Sequence, residues 1–184
     1  PIDIELTGGE WFRLGSKLRV QILALPGHSA GHLGLWHPET RTAIVIDAVL
    51  GQGLYNFDHV IIHPPPYMDA AAYETTIEKV RALEPDLLLT AHYDIIAKAE
   101  IPDFLDASAD FVSRTRAAVR RLVEQEDSVT LAGMLAQLGP ELGPFTSFPN
   151  ELAGPIRSHI GELEAERLVE TVPNAKPPTW KMTT

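Results

Sequence analysis

The sequence of 184 residues predicts a chain of the α/β (α+β) class, in which a strand-and-helix half is followed by a mostly helical domain. Three observations support this class. Short apolar runs bounded by Gly and Pro recur up to about residue 92, as strands do. One segment of helical periodicity lies between two of these runs, which is the order of a layered α/β arrangement. From residue 103 onward helical periodicity dominates, so we predict segments over residues 1–102, 103–126 and 127–184.

The first strands are indicated by alternation and by runs of branched residues. Residues 17–25 alternate, with Leu18, Val20, Ile22 and Ala24 on one face, and residues 33–36 form a short return strand. Residues 42–46 are almost continuously apolar, which predicts a strand buried on both faces. This strand ends on Asp47.

A helix and two further strands complete the first half. Residues 60–62 suggest a short strand, and the prolines at 64–66 keep the next segment extended. After Asp69, a plausible N-cap, apolar residues recur at helical spacing at Tyr73, Ile77 and Val80. Residues 87–90 form another buried strand, and His92 follows its end.

The tail contains three predicted helices and a hairpin. They are a long helix from Phe104 to about Glu126, a helix over residues 129–138 after a cap at Asp127-Ser128, a helix capped by Asn150, and strands over residues 168–172 and 179–182. Three helices followed by a hairpin is the order of a winged-helix domain.

Composition and charge narrow the function classes. Lys plus Arg is 15 and Asp plus Glu is 25, so the formal charge is −10, which argues against broad binding to nucleic acid or anionic membranes. The chain has no cysteine, so a metal must be held by His, Asp or Glu. No apolar run is long enough to span a membrane, and we expect a cytoplasmic location. The start at Pro1, without Met, suggests a processed or cut chain.

Three polar residues stand immediately after predicted strands: His28, Asp47 and His92. The carboxyl ends of strands in such sheets are where reactive groups collect. Two imidazoles and a carboxylate are ligands that zinc accepts where thiolates are absent. A buried Asp47 without a cation or donors would cost several kcal/mol. Surface roles for the histidines and a capping role for Asp47 are the plainer alternatives.

Three segments resemble metallo-beta-lactamase-fold proteins. Residues 25–33 (LPGHSAGHL) resemble the family's PGHTPGH segment, residues 43–50 (AIVIDAVL) resemble its GDALF strand end, and residues 90–92 (TAH) resemble its last ligand segment. The resemblance covers about residues 1–100. It implies the carboxyl-terminal half of an αββα sandwich over residues 1–102, with a winged-helix-like domain over residues 127–184.

The resemblance also implies a hydrolase with two divalent metal ions, zinc first and iron or manganese as alternatives. His28 would ligate the first metal, Asp47 would bridge both, and His92 would ligate the second. The substrate would be a small molecule with an ester, thioester, amide or phosphodiester bond. His32 resembles a second histidine that is not a ligand.

The chain departs from the family pattern at three points. Ile46 stands where Gly usually precedes the bridging Asp, and Tyr93-Asp94 follow His92 where Gly is common. No His-x-His-x-Asp-His run occurs in the 184 residues. We therefore expect an amino-terminal half of the same fold as a partner, and little activity from this chain alone.

Weaker candidates lie elsewhere. His59 and His63 flank an apolar stretch, and Tyr55, Phe57, the prolines at 64–66 and Tyr67 suit either a substrate pocket or ordinary loop packing. Four arginines of the long helix form a basic patch that is more typical of a solvated helix face. They are Arg114, Arg116, Arg120 and Arg121.

The charge of the tail argues against DNA recognition. Residues 126–184 contain eight acidic and four basic side chains, and a helix that enters the major groove needs the opposite balance. A cap over the active site or a homodimer contact is the interpretation we favour for this domain. The alternative to a hydrolase is a non-catalytic module whose winged helix binds protein or DNA.

Overall fold

The computed structural model describes residues 4–145 and 149–183, and Pro1 lies outside them. These residues separate into two compact units. The first unit contains the chain up to Gly51 and from Ala71 to Ala109, and the second contains Gln52–Ala70 and the chain from Asp110 onward. The boundary at Ala109 falls inside one long helix.

The elements follow each other in this order: β1 (Trp11–Leu14), β2 (Leu18–Ala24), β3 (Leu33–His37), β4 (Thr42–Ile46), β5 (Leu54–Tyr55), β6 (Ile61–His63), α1 (Ala70–Ala82), β7 (Leu87–Thr90), β8 (Ile96–Ala97), α2 (Ile101–Gln125), β9 (Val129–Thr130), α3 (Leu131–Leu142), α4 (Ala153–Ala165), β10 (Val169–Thr171) and β11 (Thr179–Met182). A short 3-10 turn at Pro149–Leu152 precedes α4. The strands and helices expected from the alternating and helical patterns are present, whereas β1, β5, β8 and β9 were not predicted.

The first unit is organised by a six-stranded sheet in the order β1-β2-β3-β4-β7-β8. Neighbours are antiparallel except β4 and β7, which run parallel. Helix α1 lies between these two strands in sequence, and a parallel pair requires such a crossover connection. The carboxyl ends of β4 and β7 therefore meet at one edge of the sheet.

One face of this sheet contributes to the core of the first unit. Ala43, Val45 and Leu88 are fully buried and share a face according to the strand register. Helix α1 buries Tyr73, Ile77 and Val80, which confirms the predicted helical spacing.

The opposite face of the sheet is apolar but partly exposed. The register places Leu35, Ile44 and Leu89 side by side on this face, and all three are only half-buried. Leu87 follows at 38% exposure. The prediction that residues 42–46 are buried on both faces was therefore wrong, because only the side facing the core is covered. We call Leu35, Ile44, Leu87 and Leu89 the open sheet face.

The second unit is mainly helical. Its core is built from the second part of α2, from α3 and from α4, and its fully buried large side chains include Tyr67, Phe111, Met134, Leu138, Leu152 and Ile156. A three-stranded sheet, β10-β11-β9, and the two-stranded ladder of β5 and β6 complete it.

Two helix starts differ from the expectation. Val129 and Thr130 pair with β11, so α3 starts later than predicted. The Thr130 hydroxyl then accepts from the Gly133 amide at 3.1 Å and caps the helix in place of Asp127-Ser128. Asn150 lies within the 3-10 turn, and among the described residues no side chain caps α4, which begins at Ala153.

None of the helices in the two described stretches combines the length and the apolar content that crossing a membrane requires.

Candidate metal centre

Asp47 and His92 meet at the edge where the parallel strands β4 and β7 end. The Asp47 Oδ1 atom lies 3.1 Å from His92 Nε2. The two side chains are 26% and 46% exposed, so the pair is open on the side of His92. The sequence placed both residues after strands, and the parallel register explains why they come together.

Among the described residues, the buried Oδ1 atom of Asp47 has no hydrogen-bond partner. Asp47 Oδ1 is shielded from solvent, and within residues 4–145 and 149–183 its 3.1 Å contact with His92 Nε2 is not a hydrogen bond and no other partner is present. A buried carboxylate oxygen without a donor is costly unless a cation takes that place. Zinc donors at about 2.0–2.1 Å in a tetrahedral site lie roughly 3.3 Å apart, which is close to the observed separation. The pair therefore fits two neighbouring ligands of one divalent cation.

His28 lies in the loop between β2 and β3, beside His32. The two rings pack edge to face with centroids 5.6 Å apart. Within the described residues, no three His, Asp or Glu side chains converge on a common point. The structure thus brings Asp47 and His92 together, and the position of His28 as a third ligand stays a prediction.

The loop that carries His28 is fixed by its contact with α1. Gly27 has φ +129°, and a Cβ at this position would lie 2.4 Å from the Cα of Tyr73. The Thr76 hydroxyl donates to the Pro26 carbonyl at 2.6 Å. The Gly in this segment is therefore required by the close approach of the helix, as well as by its backbone conformation.

Asp47 is part of a tight turn from Val45 to Ala48. The Ala48 amide donates to the Val45 carbonyl at 2.9 Å, and Ile46 takes the left-handed conformation with φ +55°. Turns with positive φ at this position favour Gly, Asn or Asp, and a β-branched residue there is strained. The replacement of the family's usual Gly by Ile46 thus falls on a position where Gly would be unstrained.

The chain after Asp47 is held by three side chains of the first unit. The Tyr73 hydroxyl accepts from the Leu50 amide at 3.0 Å, the Tyr93 hydroxyl donates to the Leu50 carbonyl at 2.7 Å, and the Ser108 hydroxyl accepts from the Gly51 amide at 2.9 Å. Burial raises the pKa of the Tyr73 phenol, which therefore stays protonated. Tyr93, which departs from the family pattern, supports the segment that follows Asp47.

The other candidate residues are distributed over the second unit. His59 is exposed, and His63 Nδ1 donates to the Pro64 carbonyl at 2.6 Å. Tyr67 is fully buried, whereas Phe57 is fully exposed, so these two aromatic residues do not line one pocket. The four arginines of α2 each pair with a carboxylate, on Asp110, Glu162, Glu124 and Glu141 respectively.

The sequence did not indicate a buried polar network in the second unit. His159 is buried, with Nε2 2.8 Å from the Tyr67 hydroxyl and Nδ1 2.7 Å from Glu162. Arg116 makes a forked pair with Glu162 at 3.1 and 3.2 Å. Partial burial raises the pKa of Glu162, but the bonds from Arg116 and His159 outweigh it, so the pKa lies below its usual value. A histidine between the apolar residues Ile156 and Ile160 of a predicted helix was the available signal.

Comparison with known proteins supports the resemblance seen in the motifs. A family model described as the metallo-beta-lactamase superfamily matches residues 1–92. A probable metallo-hydrolase of Bacillus subtilis (strain 168), YflN, is 35% identical over 78 residues, 38% of this chain and 30% of that protein. A hydroxyacylglutathione hydrolase of Cereibacter sphaeroides is 24% identical over 97 residues, 53% of this chain and 34% of that protein. The chain spans about a third of the length of these curated relatives.

Solved structures with the same fold cover the whole chain. A metallo-beta-lactamase family protein from Thermus thermophilus superposes with a TM-score of 0.67 at 17% identity, covering 100% of this chain and 55% of that one. A beta-lactamase domain protein from Burkholderia ambifaria gives a TM-score of 0.71 at 16% identity, covering 100% and 53%. At such identities the likeness concerns the fold alone.

Proposed function

This chain belongs to the metallo-beta-lactamase superfamily, and we propose that it contributes part of the active site of a metal-dependent hydrolase. The substrate would be a small molecule with an ester, thioester, amide or phosphodiester bond. The observation that carries the proposal is the buried Asp47 Oδ1, which has no hydrogen bond among the described residues and lies beside His92 at the ends of two parallel strands.

We propose that Asp47, His92 and His28 hold divalent metal, with zinc as the first choice because imidazole and carboxylate are ligands it accepts. The chemistry that bound divalent metal supplies is Lewis acidity and a lower pKa of water. Asp47 contributes a carboxylate whose Oδ1 atom is shielded from solvent, and His92 contributes an imidazole nitrogen. The turn at Ile46 and the bonds to Leu50 and Gly51 hold Asp47 in place before any ligand binds.

An amino-terminal half of the same fold is the proposed partner of the open sheet face. A sheet buries its apolar faces against another layer, and Ile44, Leu87 and Leu89 are left partly exposed here. The related solved structures are almost twice as long as the part that this chain covers. In this proposal the partner half supplies the remaining metal ligands, and the present chain alone has little activity.

The winged-helix interpretation of residues 127–184 belongs to the same proposal. The acidic side chains of α4 are engaged with arginines, as Glu162 is with Arg116 and Glu164 is with Arg157. These pairs leave α4 without the surplus of positive charge that a groove-reading helix needs. We therefore propose a role in contacts with protein or substrate.

The proposal is tested by metal content and hydrolysis in the complete protein. We expect the wild type to retain divalent metal after dialysis and to hydrolyse at least one class of model ester, thioester, amide or phosphodiester. Asp47→Asn and His92→Ala would lower metal content and activity together, whereas Asp58→Asn, at an exposed carboxylate, would change neither. A wild-type protein that retains no zinc, iron or manganese and hydrolyses none of these substrates would refute the proposal.

A further inference from the structure

The turn that carries Asp47 is also bonded to the two segments that carry the histidines. Nε2 of His32, from the loop of His28, lies 3.1 Å from the Val45 carbonyl. The amide of Ala91, the residue before His92, donates to the Ile46 carbonyl at 3.1 Å. Two consecutive carbonyls of one turn therefore connect the three segments that contain His28, Asp47 and His92.

The bond from His32 fixes where its proton lies. A carbonyl oxygen only accepts, so Nε2 of His32 must carry the hydrogen. The same ring packs edge to face against His28, with 5.6 Å between centroids. His32 thus contacts a predicted metal ligand on one side and the Asp47 turn on the other.

The turn needs such support because its conformation is unfavourable. Ile46 has φ +55°, and its side chain is 43% exposed, so side-chain packing offsets only part of the strain. Strained backbone persists where surrounding contacts hold it in place. One of the two bonds is made to the carbonyl of Val45, the residue before the strained one, and the other to the carbonyl of Ile46 itself. Both can therefore hold the strained backbone in place.

We propose that His32 is a positioning residue of the metal centre, which aligns the Asp47 turn with the loop of His28 through its bond to Val45. The inference rests on the proposed function only in assuming that His28, Asp47 and His92 bind metal. The effect of His32 on the turn is a property of the chain without metal.

The test compares His32→Gln with His32→Met in the full 184-residue chain. Gln retains an N–H that can reach the Val45 carbonyl, whereas Met has a similar length and no donor. In the metal-free chain, His32→Met should make the amides of Ala48 and Ala91 exchange with solvent about tenfold faster, since one hydrogen bond of the turn is lost. His32→Gln and the control His59→Ala, at an exposed residue, should exchange like the wild type.

Titration of the complete protein with cobalt(II), followed by its visible spectrum, gives the second measurement. We expect His32→Met to weaken cobalt binding about tenfold, as the loss of groups that orient ligands does, and His32→Gln to preserve it. The inference would be overturned if His32→Met left the exchange of the Ala48 and Ala91 amides unchanged. It would also be overturned if His32→Gln accelerated exchange and weakened cobalt binding as much as His32→Met does. If the complete wild-type protein binds no cobalt, the proposed function fails. The hydrogen-exchange comparison in the metal-free chain still tests whether His32 positions the Asp47 turn.

Discussion

The Tyr67 hydroxyl lies 2.8 Å from Nε2 of His159, and both side chains are buried in the second unit. Because Nδ1 of His159 faces the Glu162 carboxylate at 2.7 Å, Nδ1 carries a proton, and the ring bridges Glu162 and the Tyr67 hydroxyl. The amide of Ala70 adds a bond to the Ser158 hydroxyl at 2.8 Å. The segment around Tyr67 is thus bonded to α4 at two places.

Tyr67→Phe should lower the free energy of unfolding by about 1–3 kcal/mol. The change leaves a buried nitrogen of His159 without its Tyr67 partner, and an unsatisfied buried polar group has a cost of that order. Urea denaturation of the chain measures the difference. Phe57→Leu, at a fully exposed side chain, should change the stability by less than about 0.5 kcal/mol. Equal effects at the two positions would contradict the importance of the bond.

Glu162→Gln should destabilise the chain in a pH-dependent manner. Bonds from Arg116 and His159 lower the pKa of Glu162 in spite of its burial, so the ionised carboxylate stabilises the folded state above its usual pKa of 4.5. This contribution is lost as the pH falls through the lower pKa of the folded state. Denaturation curves should show a difference of about 1–3 kcal/mol near neutral pH that shrinks below about pH 4.5. Glu166→Gln, at an exposed residue one turn further along, should change the free energy of unfolding by less than about 0.5 kcal/mol.

Gly27→Ala should be far more damaging than Gly31→Ala. A Cβ on Gly27 would lie 2.4 Å from the Cα of Tyr73, whereas a Cβ on Gly31 meets nothing within 4 Å. Backbone cannot yield as a flexible side chain does, so we expect a loss of at least about 1–3 kcal/mol for Gly27→Ala. Thermal unfolding of both variants provides the comparison, and similar midpoints would show that α1 does not approach the loop this closely.

Ile46→Gly should cost much less stability than Ile44→Gly. Glycine relieves the strain of φ +55° at residue 46, which offsets the lost side chain, but at residue 44 it removes a half-buried side chain from an ordinary strand. We expect Ile46→Gly to stay within about 1 kcal/mol of the wild type and Ile44→Gly to lose about 2 kcal/mol or more. Chemical denaturation measures the free energy of unfolding of both variants. A larger loss for Ile46→Gly than for Ile44→Gly would mean that the Ile46 side chain stabilises the fold by more than the backbone strain destabilises it.

Asp47→Asn should have opposite effects with and without metal. In the metal-free chain the change removes a partly buried charge whose Oδ1 atom has no hydrogen bond among the described residues, so we expect equal or higher stability. With zinc present and the partner half bound, the wild type should gain stability by mass action, and the variant should not. A pair of thermal unfolding curves with and without zinc tests both statements. A variant that gains as much from zinc as the wild type would remove Asp47 from the ligand set.

The strand ends that carry Asp47 and His92 could be predicted from the sequence because apolar runs and their polar ends are local features. Their contact follows from the parallel pairing of β4 and β7, which the strand–helix–strand order suggested. The left-handed conformation of Ile46 was not predicted, because a β-branched residue in an apolar run favours extended backbone.

The Tyr67–His159 bond was also beyond the reach of the sequence, because 92 positions separate the two residues. The uncovered side of residues 42–46 was mispredicted for a related reason. An apolar run shows that burial is favourable on both faces of the strand. It does not show whether another layer of the protein covers each face.

Two opposing forces act between copies of the chain: the open sheet face favours apolar association, and the net charge of −10 favours repulsion. Mutual repulsion keeps copies apart in dilute buffer, whereas added salt screens that repulsion and leaves the attraction between apolar surfaces almost intact. Light scattering of the isolated chain should therefore increase with ionic strength. In purification, low-salt buffer would preserve single copies, and fractionation with ammonium sulfate would gather them into aggregates.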